Sequence, residues 1–248
     1  MNLCIDIGNS SSKVGIFDNR ELKHFFLFKT IIKKDEIVQI CNKFAVSACI
    51  LSSTVKSDFK LINFLKEKIP FFIELTHKTP IPITNCYKTP ETLGKDRLAA
   101  VAGAVFLQPG NDTLVVDAGT AITFDFIDKE KKYRGGTISP GLAMRFRALN
   151  EFTGRLPLLQ IADNENIELT GNDTRTAILN GVVNGILFET DSYITAFKEK
   201  FPALSVFLTG GNANYLAKRL KNFALIENSL VLIGLNCILE FNMQKYKF

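Results

Sequence analysis

Tryptophan is missing from the sequence, and histidine occurs only twice, as His24 and His77. The five cysteines, Cys4, Cys41, Cys49, Cys86 and Cys237, are odd in number and none forms a CxxC pair. A zinc scaffold needs clustered thiolates or imidazoles and a disulfide scaffold needs pairs, so neither class fits. The thiols read as small core residues in a reducing compartment. Long apolar runs are lacking as well: the longest uncharged apolar stretch, Leu98 to Leu107, falls far short of the roughly 20 residues that span a bilayer. The opening MNLCIDIGN has no basic region and carries Asp6 where a secretory leader would be apolar. A cytoplasmic protein with no membrane partner is expected. Excess charge is small: 30 Lys and Arg against 25 Asp and Glu leave +5, spread along the chain. No nucleic-acid partner is required by that balance, although an anionic ligand suits it.

What is present belongs to a folded chain. With 46% hydrophobic and 22% charged residues, 16 Gly and 8 Pro, the composition excludes collagenous, disordered and low-complexity classes. Its 248 residues allow one large domain or two small ones. The 21 phenylalanines read as a base bias of the genome, without functional content. Short β-branched runs alternate with helical patterns, which makes the class α/β. Leu3 to Ile5, Val14 to Phe17 and Ala48 to Leu51 read as strands, and Lys56 to Lys68 as an amphipathic helix. Thr79 to Pro90, with Pro80, Pro82 and Pro90, reads as a loop, because each proline removes a backbone donor and restricts its predecessor. A helix from about Lys95 to Leu107 follows. The turn at Pro109 to Asp112 then marks the expected boundary between an N-terminal lobe, 1–112, and a C-terminal lobe, 113–248.

The second half opens like the first. Leu3 to Asp18 reads LCIDIGNSSSKVGIFD and Leu114 to Asp128 reads LVVDAGTAITFDFID, each an apolar run, Asp-x-Gly, hydroxyl residues and a second apolar run. Both predict a β-hairpin with a polar tip, and their aspartates, Asp6 and Asp117, stand 111 residues apart. An internal duplication follows, and two such lobes facing each other would form a cleft. Later in the second half a strand from Ser205 to Leu208 runs into Thr209-Gly210-Gly211, followed by a helix from about Asn214 to Leu220. In the first half Ile50, Leu51, Ser52, Ser53 and Thr54 occupy the matching place.

Asp-x-Gly followed by hydroxyls has a chemical logic. Glycine lets the turn approach a ligand closely, N–H and hydroxyl groups donate to phosphate oxygens, and the carboxylate can hold a hard cation. One copy is also an ordinary turn, so the pair carries the argument. GxxxxGK[ST] and GxGxxG do not occur, which excludes the P-loop, the kinase-type glycine loop and the dinucleotide fingerprint. Between the hairpins, Tyr87-Lys-Thr-Pro-Glu-Thr-Leu-Gly94-Lys95-Asp96-Arg97 leads into a helix. Backbone donors, a carboxylate and a guanidinium would converge there on a substrate carboxylate, with Asp96 able to accept a proton. The plainer alternative is Asp96 interacting with the helix dipole and Arg97 in a surface ion pair.

Taken together, DIGNS at 6–10, YxxPxxLGxDR from Tyr87 to Arg97, VDAGTA from Val116 to Ala121 and GGxIxPG from Gly135 to Gly141 resemble the type III pantothenate kinases. These belong to the acetate kinase, sugar kinase, Hsp70 and actin superfamily. Gly171-Asn172-Asp173-Thr174 resembles the family's later GxxT segment and Thr209-Gly210-Gly211 its TGG. The resemblance implies duplicated actin-like, ribonuclease H-like lobes and ATP-dependent phosphorylation of pantothenate to 4'-phosphopantothenate, the first step towards coenzyme A. It implies that Asp6, Ile7, Gly8, Asn9, Ser10, Ser11, Ser12 and Lys13 line the ATP phosphates, with Asp6 holding Mg2+. Thr120 would contact ATP, and Asp117 would bind a monovalent cation, K+ or NH4+. Tyr87, Gly94, Lys95, Asp96 and Arg97 would hold pantothenate, Asp96 as general base, with Thr174 reaching the substrate of the partner in a homodimer. Lys95 departs from the family's usual small residue, which puts its direction in the pocket in question.

Other carboxylates read less functionally. Asp18, Asp125 and Asp128 lie in or after second strands, where solvated turn positions are expected, and GGxIxPG reads as a tight turn. Along 174–190, Ala177, Ile178, Val182, Ile186 and Leu187 recur at helical spacing while Gly181 and Gly185 leave one side flat, a face suited to close packing. Thr174 would otherwise be that helix's N-cap or a solvated hydroxyl. A catalytically silent regulator sharing the fold is the alternative of another class, and Asp6, Asp96 and Asp117 argue against it. Another kinase or phosphatase of that superfamily, acting on a sugar or acetate, is the alternative enzyme, and the Tyr87 to Arg97 stretch argues against that.

Overall fold

The computed structural model describes residues 1–55 and 58–245. Two compact units emerge, one of Met1–Gly110, Ile127–Gly135 and Ser229–Phe248, the other of Asn111–Phe126 and Gly136–Asn228.

In the first unit, β1 (Asn2–Ile7) and β2 (Ser12–Asp18) form the expected hairpin, and β3 (Glu21–Phe28) returns beside β2. After α1 (Lys34–Lys43), β4 (Ala48–Ser53) pairs parallel with β1. Next, α2 (Phe59–Lys68) leads to β5 (Phe71–Glu74), which pairs parallel with β4. The sheet order is β3-β2-β1-β4-β5. Its central strands β1 and β4 are buried along their whole length, hence the continuous apolar runs. At the edge, β3 alternates between half-buried and exposed residues, a period-two pattern too weak in ELKHFFLF to stand out from the sequence. The expected helix from Lys56 begins at Phe59, with Asp58 accepting from Lys60 N–H at 2.9 Å as its N-cap; Lys56 and Ser57 lie outside the described residues.

Between Thr79 and Pro90 the chain is irregular as expected, except for a two-residue strand, β6 (Thr84–Asn85). Thr84 and Asn85 lie between Pro82 and Pro90 and keep their own N–H groups, so they can pair with Lys132 and Tyr133. Next comes α3 (Lys95–Leu107), buried from Arg97 to Val105 and apolar on every side.

The second unit begins with β7 (Thr113–Ala118), β8 (Ala121–Ile127) and β9 (Lys132–Pro140). GGTISPG therefore lies in β9 and at the start of α4 (Leu142–Glu151) instead of forming a tight turn, because Thr137, Ile138 and Ser139 continue the strand. The long α5 (Thr174–Lys200) buries Ile178, Val182, Val183, Ile186, Leu187 and Ile194 against a core that includes Leu114, Val116, Phe124 and Leu208. Then come β10 (Ser205–Thr209), parallel to β7, α6 (Ala213–Ala217) and β11 (Leu225–Ile226). The helix expected over 214–220 is the five-residue α6. The second sheet runs β11-β10-β7-β8-β9-β6.

The last helix, α7 (Leu230–Lys245), was counted above with the C-terminal lobe, yet it belongs to the first unit. It packs on α3 at glycine: a Cβ on Gly234 would overlap Ala99 O, and one on Gly103 would overlap Leu230 O. Asparagines fix its register. Asn236 accepts from Asn2 and donates to Asn19 O, each at 2.8 Å, and Asn242 donates to Pro80 O at 2.8 Å. Cys4 and Cys49 are core residues whose thiols burial pushes well up, and Cys237 is pushed up to about 12. Cys86 is exposed instead, on the strap beside β6.

Because the α3–α7 contact is backbone against backbone, Gly234→Ala has no side chain to push aside and should lose about 2–3 kcal/mol. A lower urea midpoint at unchanged slope is the expected reading.

Candidate active site

In the first unit the tip of the β1–β2 hairpin is a four-residue turn in which Gly8 N–H donates to Ser11 O at 2.9 Å. It is anchored from β4, as Thr54 N–H and Oγ1 both donate to Ile7 O, at 2.9 and 3.2 Å. Ile7 and Ser12 turn inward and serve the core: Ser12 Oγ donates to Thr30 O at 3.0 Å and accepts from Ile32 N–H at 2.9 Å. Ser12 therefore contributes structure where a phosphate contact was expected. Gly8, Asn9, Ser10 and Ser11 line the accessible tip, and Lys13 is half-buried. Asp6 is 8% exposed and stands in register with Lys13 on β2 and with Ser52 on β4. In-register neighbours point to one face of a sheet, so an ammonium, a carboxylate and a hydroxyl form a row across three strands.

The same unit assembles the expected substrate stretch. Asn85 Oδ1 accepts from Tyr87 N–H at 3.0 Å, and Cys86 N–H donates to Tyr133 O at 3.1 Å. The Tyr87 ring stacks on Tyr133, centroids 6.2 Å apart, and Gly135, at φ 111°, leaves room beside it: an added Cβ would lie 3.6 Å from Tyr87 Cδ2. Arg97 is buried, with its guanidinium 5.9 Å from the Tyr87 ring centroid, so the surface ion pair considered for it does not describe its setting. Gly94 is the N-cap of α3. A Cβ there would meet Asp96 Oδ1 at 2.6 Å, while Asp96 Oδ1 accepts from Arg97 N–H at 2.9 Å. A side chain at 94 would displace the folded-back carboxylate, and Tyr87, Asp96 and Arg97 are brought together. Lys95 is half-buried at the first helical position. Tyr133 went unnoticed in the sequence, since nothing local marks it as the platform of Tyr87.

In the second unit, three glycines crowd the tip after β7. Gly119 N–H donates to Ala121 O and Gly141 N–H to Thr120 O, each at 3.1 Å. A Cβ on Gly141 would overlap Thr120 O and Gly119 O, and one on Gly210, at φ 94°, would overlap Asp117 Oδ1. Asn212 N–H donates to Ala118 O at 3.0 Å. Asp117 is half-buried and in register with Thr209, and Thr120 is exposed. Asp125, expected in a solvated setting, is 1% exposed on β8 and accepts from Thr123 Oγ1 at 2.9 Å. Asp128, in the first unit, is also not a solvated turn carboxylate, because Arg134 Nε reaches it at 2.7 Å. Burial is the largest single influence and raises its carboxyl, but the Lys132 N–H, the Arg134 hydrogen bond and charge, and the Glu130 N–H together hold it below the usual range. Thr174 is exposed and begins α5, whose N-cap is Asp173, accepting from Thr176 N–H at 2.8 Å. It edges an apolar groove of about 890 Å³ with Phe152, Leu156, Ala177 and Gly181.

No group of three or more His, Cys, Asp or Glu side chains placed to hold a metal occurs among the described residues. Single carboxylates set in glycine cradles fit a different arrangement, in which the cation shares its coordination with phosphates and water.

The family model of the type III pantothenate kinases matches residues 2–196. The chain belongs to the type III pantothenate kinase family. A curated member from Phocaeicola vulgatus is 46% identical over 98% of this chain and 99% of its own, and one from Bacteroides fragilis is 44% identical over 98% of each. Among solved structures, a conserved putative Baf family transcriptional activator from Campylobacter jejuni shares the fold at TM-score 0.61 and 24% identity, covering 98% of this chain and 99% of its own. A putative N-acetylmannosamine kinase from Listeria monocytogenes does so at TM-score 0.56 and 15% identity, over 98% and 99%. The two sheets, each led by an Asp-x-Gly hairpin, are duplicated actin-like lobes.

For this pantothenate kinase family member, Gly210→Ala combines a left-handed φ with overlap on the Asp117 carboxylate. It also overlaps the Ala118 backbone, so it should cost about 1–3 kcal/mol, read as a lower urea midpoint at unchanged slope.

Proposed function

We propose that the chain transfers the γ-phosphoryl group of ATP to the primary hydroxyl of pantothenate, giving 4'-phosphopantothenate. The observation that carries the reading is the convergence of Tyr87, Asp96 and Arg97 at the N-terminus of α3, within a chain that matches this kinase family over residues 2–196. Arg97 and the N-terminal N–H groups of α3 bind the carboxylate of pantothenate, and the stacked Tyr87 ring shapes the wall of its pocket. Asp96 receives the proton of the attacking hydroxyl. A resting carboxylate suffices for this, because the alcohol turns acidic only as its bond to phosphorus forms. Gly8 to Ser11 donate N–H and hydroxyl groups to the phosphates, with Lys13 adding positive charge. Asp6 holds Mg2+ and Asp117 a monovalent cation, K+ or NH4+, and these cations supply neutralisation of the charge that develops on the transferring group. The reaction is the first step of coenzyme A formation and takes place in the cytoplasm, with no nucleic acid or membrane involved.

Purified protein supplied with ATP, Mg2+, K+ and pantothenate should form ADP in a coupled assay. Asp96→Asn, which keeps size and fold, should lower kcat about 100- to 10,000-fold. Retained turnover would remove Asp96 from the role of base, and no turnover by the wild type would overturn the reading.

The active species is a homodimer, a reading supported by the exposed Ala177, Gly181 and Phe188 on α5 and by the apolar groove beside them. Thr174, at the edge of that groove, contacts the pantothenate of the partner subunit. Gly181 has open space where a side chain would go, whereas a Cβ on Gly185 would lie 3.6 Å from Arg145 Nη1, itself ion-paired with Glu189, so a charge at 181 is the cleaner probe. Gly181→Glu should give monomers by light scattering with greatly weakened pantothenate use, while Thr174→Ala should stay dimeric and raise KM for pantothenate about 10-fold. A fully active monomer would refute the arrangement.

A further inference from the structure

Buried hydroxyls cost stability unless they are hydrogen-bonded, and this protein satisfies most of them. Ser12 Oγ bonds Thr30 O, Ser53 Oγ bonds Val55 O, Thr113 Oγ1 bonds Asn111 O and Thr190 Oγ1 bonds Ile186 O. Three hydroxyls among the described residues depart from this rule: that of Tyr215, 8% exposed on the short helix α6, and those of Ser52 and Thr209, which are both 0% exposed and both on sheet strands.

Their positions correspond. Ser52 lies on β4, the parallel neighbour of β1, in register with Asp6. Thr209 lies on β10, the parallel neighbour of β7, in register with Asp117. In each unit the hydroxyl and the Asp-x-Gly carboxylate point to the same face of adjacent strands, roughly 4.8 Å apart at the backbone. Both stand at the carboxyl ends of parallel strands, where ligands of α/β sheets bind. Tyr215 has no counterpart in the other unit, whereas Ser52 and Thr209 recur at equivalent places of a duplicated fold and so point to a common cause.

Resting on the nucleotide reading above, we propose that Ser52 and Thr209 are positioning residues for the cations carried by Asp6 and Asp117. Each hydroxyl hydrogen-bonds a cation-bound water next to the carboxylate. A hydroxyl suits this task because it accepts from one group while donating to another, so it can link a bound water to the aspartate beside it. Alanine would fill the same buried place without that capacity. The unsatisfied state of the ligand-free protein is then compensated when cation and nucleotide enter.

The test compares wild type, Ser52→Ala, Thr209→Val and Thr209→Ser. Ligand-free melting temperature is measured by scanning calorimetry, and affinity for a non-hydrolysable ATP analogue by titration with chelator, with Mg2+, and with Mg2+ plus K+. Removing a hydroxyl that lacks a partner should leave the ligand-free melting temperature unchanged or raised. Ser52→Ala should lose about 10-fold of the affinity gained from Mg2+, and Thr209→Val about 10-fold of that gained from K+. Affinity in chelator should stay at the wild-type value, and Thr209→Ser should keep the K+ response. A lower ligand-free melting temperature, or cation responses equal to wild type in both hydroxyl-free variants, would overturn the inference alone. If the wild type shows no cation-dependent nucleotide binding, the proposed function fails with it.

Discussion

A carboxylate at the end of a buried parallel strand depends on what the next strand sets beside it, since water cannot solvate it from behind and the strand's own neighbours point away. In the first unit that dependence organises the local chain. Asp6 ends β1, Lys13 flanks it on β2 and Ser52 on β4, while Thr54 pins Ile7 so that the turn at Gly8 leaves in one direction. In the second unit the surroundings of Asp117 are built from glycine instead. Gly210 exists as glycine because the carboxylate occupies the place of its Cβ, and Gly141 because the backbone of Gly119 and Thr120 does. Each site is thus a carboxylate plus the space kept for it.

The stretch from Tyr87 to Arg97 follows the same rule by other means. Just ahead of it β6 ties Thr84 and Asn85 to Lys132 and Tyr133, Pro90 keeps it out of regular pairing, and α3 receives it at Gly94. A buried helix apolar on every side makes a rigid base. Gly103 and Gly234 bring α3 and α7 to backbone contact, so Asp96 and Arg97 stand on an element that cannot tilt without breaking that contact. Rigid support of this kind is what a group must have to hold a hydroxyl in line for phosphoryl transfer.

Much of the arrangement was legible beforehand because it is local. The hairpin of Leu3 to Asp18, its repeat at Leu114 to Asp128 and the helix of Lys95 to Leu107 each follow from periodicity and turn residues within a few positions. The weaker elements failed for the opposite reason. In β3 half-exposed residues dilute the alternation, and β6 exists only because β9 is there to pair with it.

By itself, then, the sequence determined the class of the fold and its duplication, because both rest on short-range periodicity and repeated turn chemistry. Only tertiary structure decided how the hydroxyls and carboxylates are used. Ser12 is spent on Thr30 and Ile32 while Ser52 is left open beside Asp6, and Asp125 is buried where a solvated turn was expected. The GGxIxPG glycines back Tyr87 and seat Thr120, and the C-terminal helix returns to the first unit. Each of these outcomes turns on parallel register or backbone contact between residues tens to hundreds of positions apart, and such contacts leave no periodic trace in the chain.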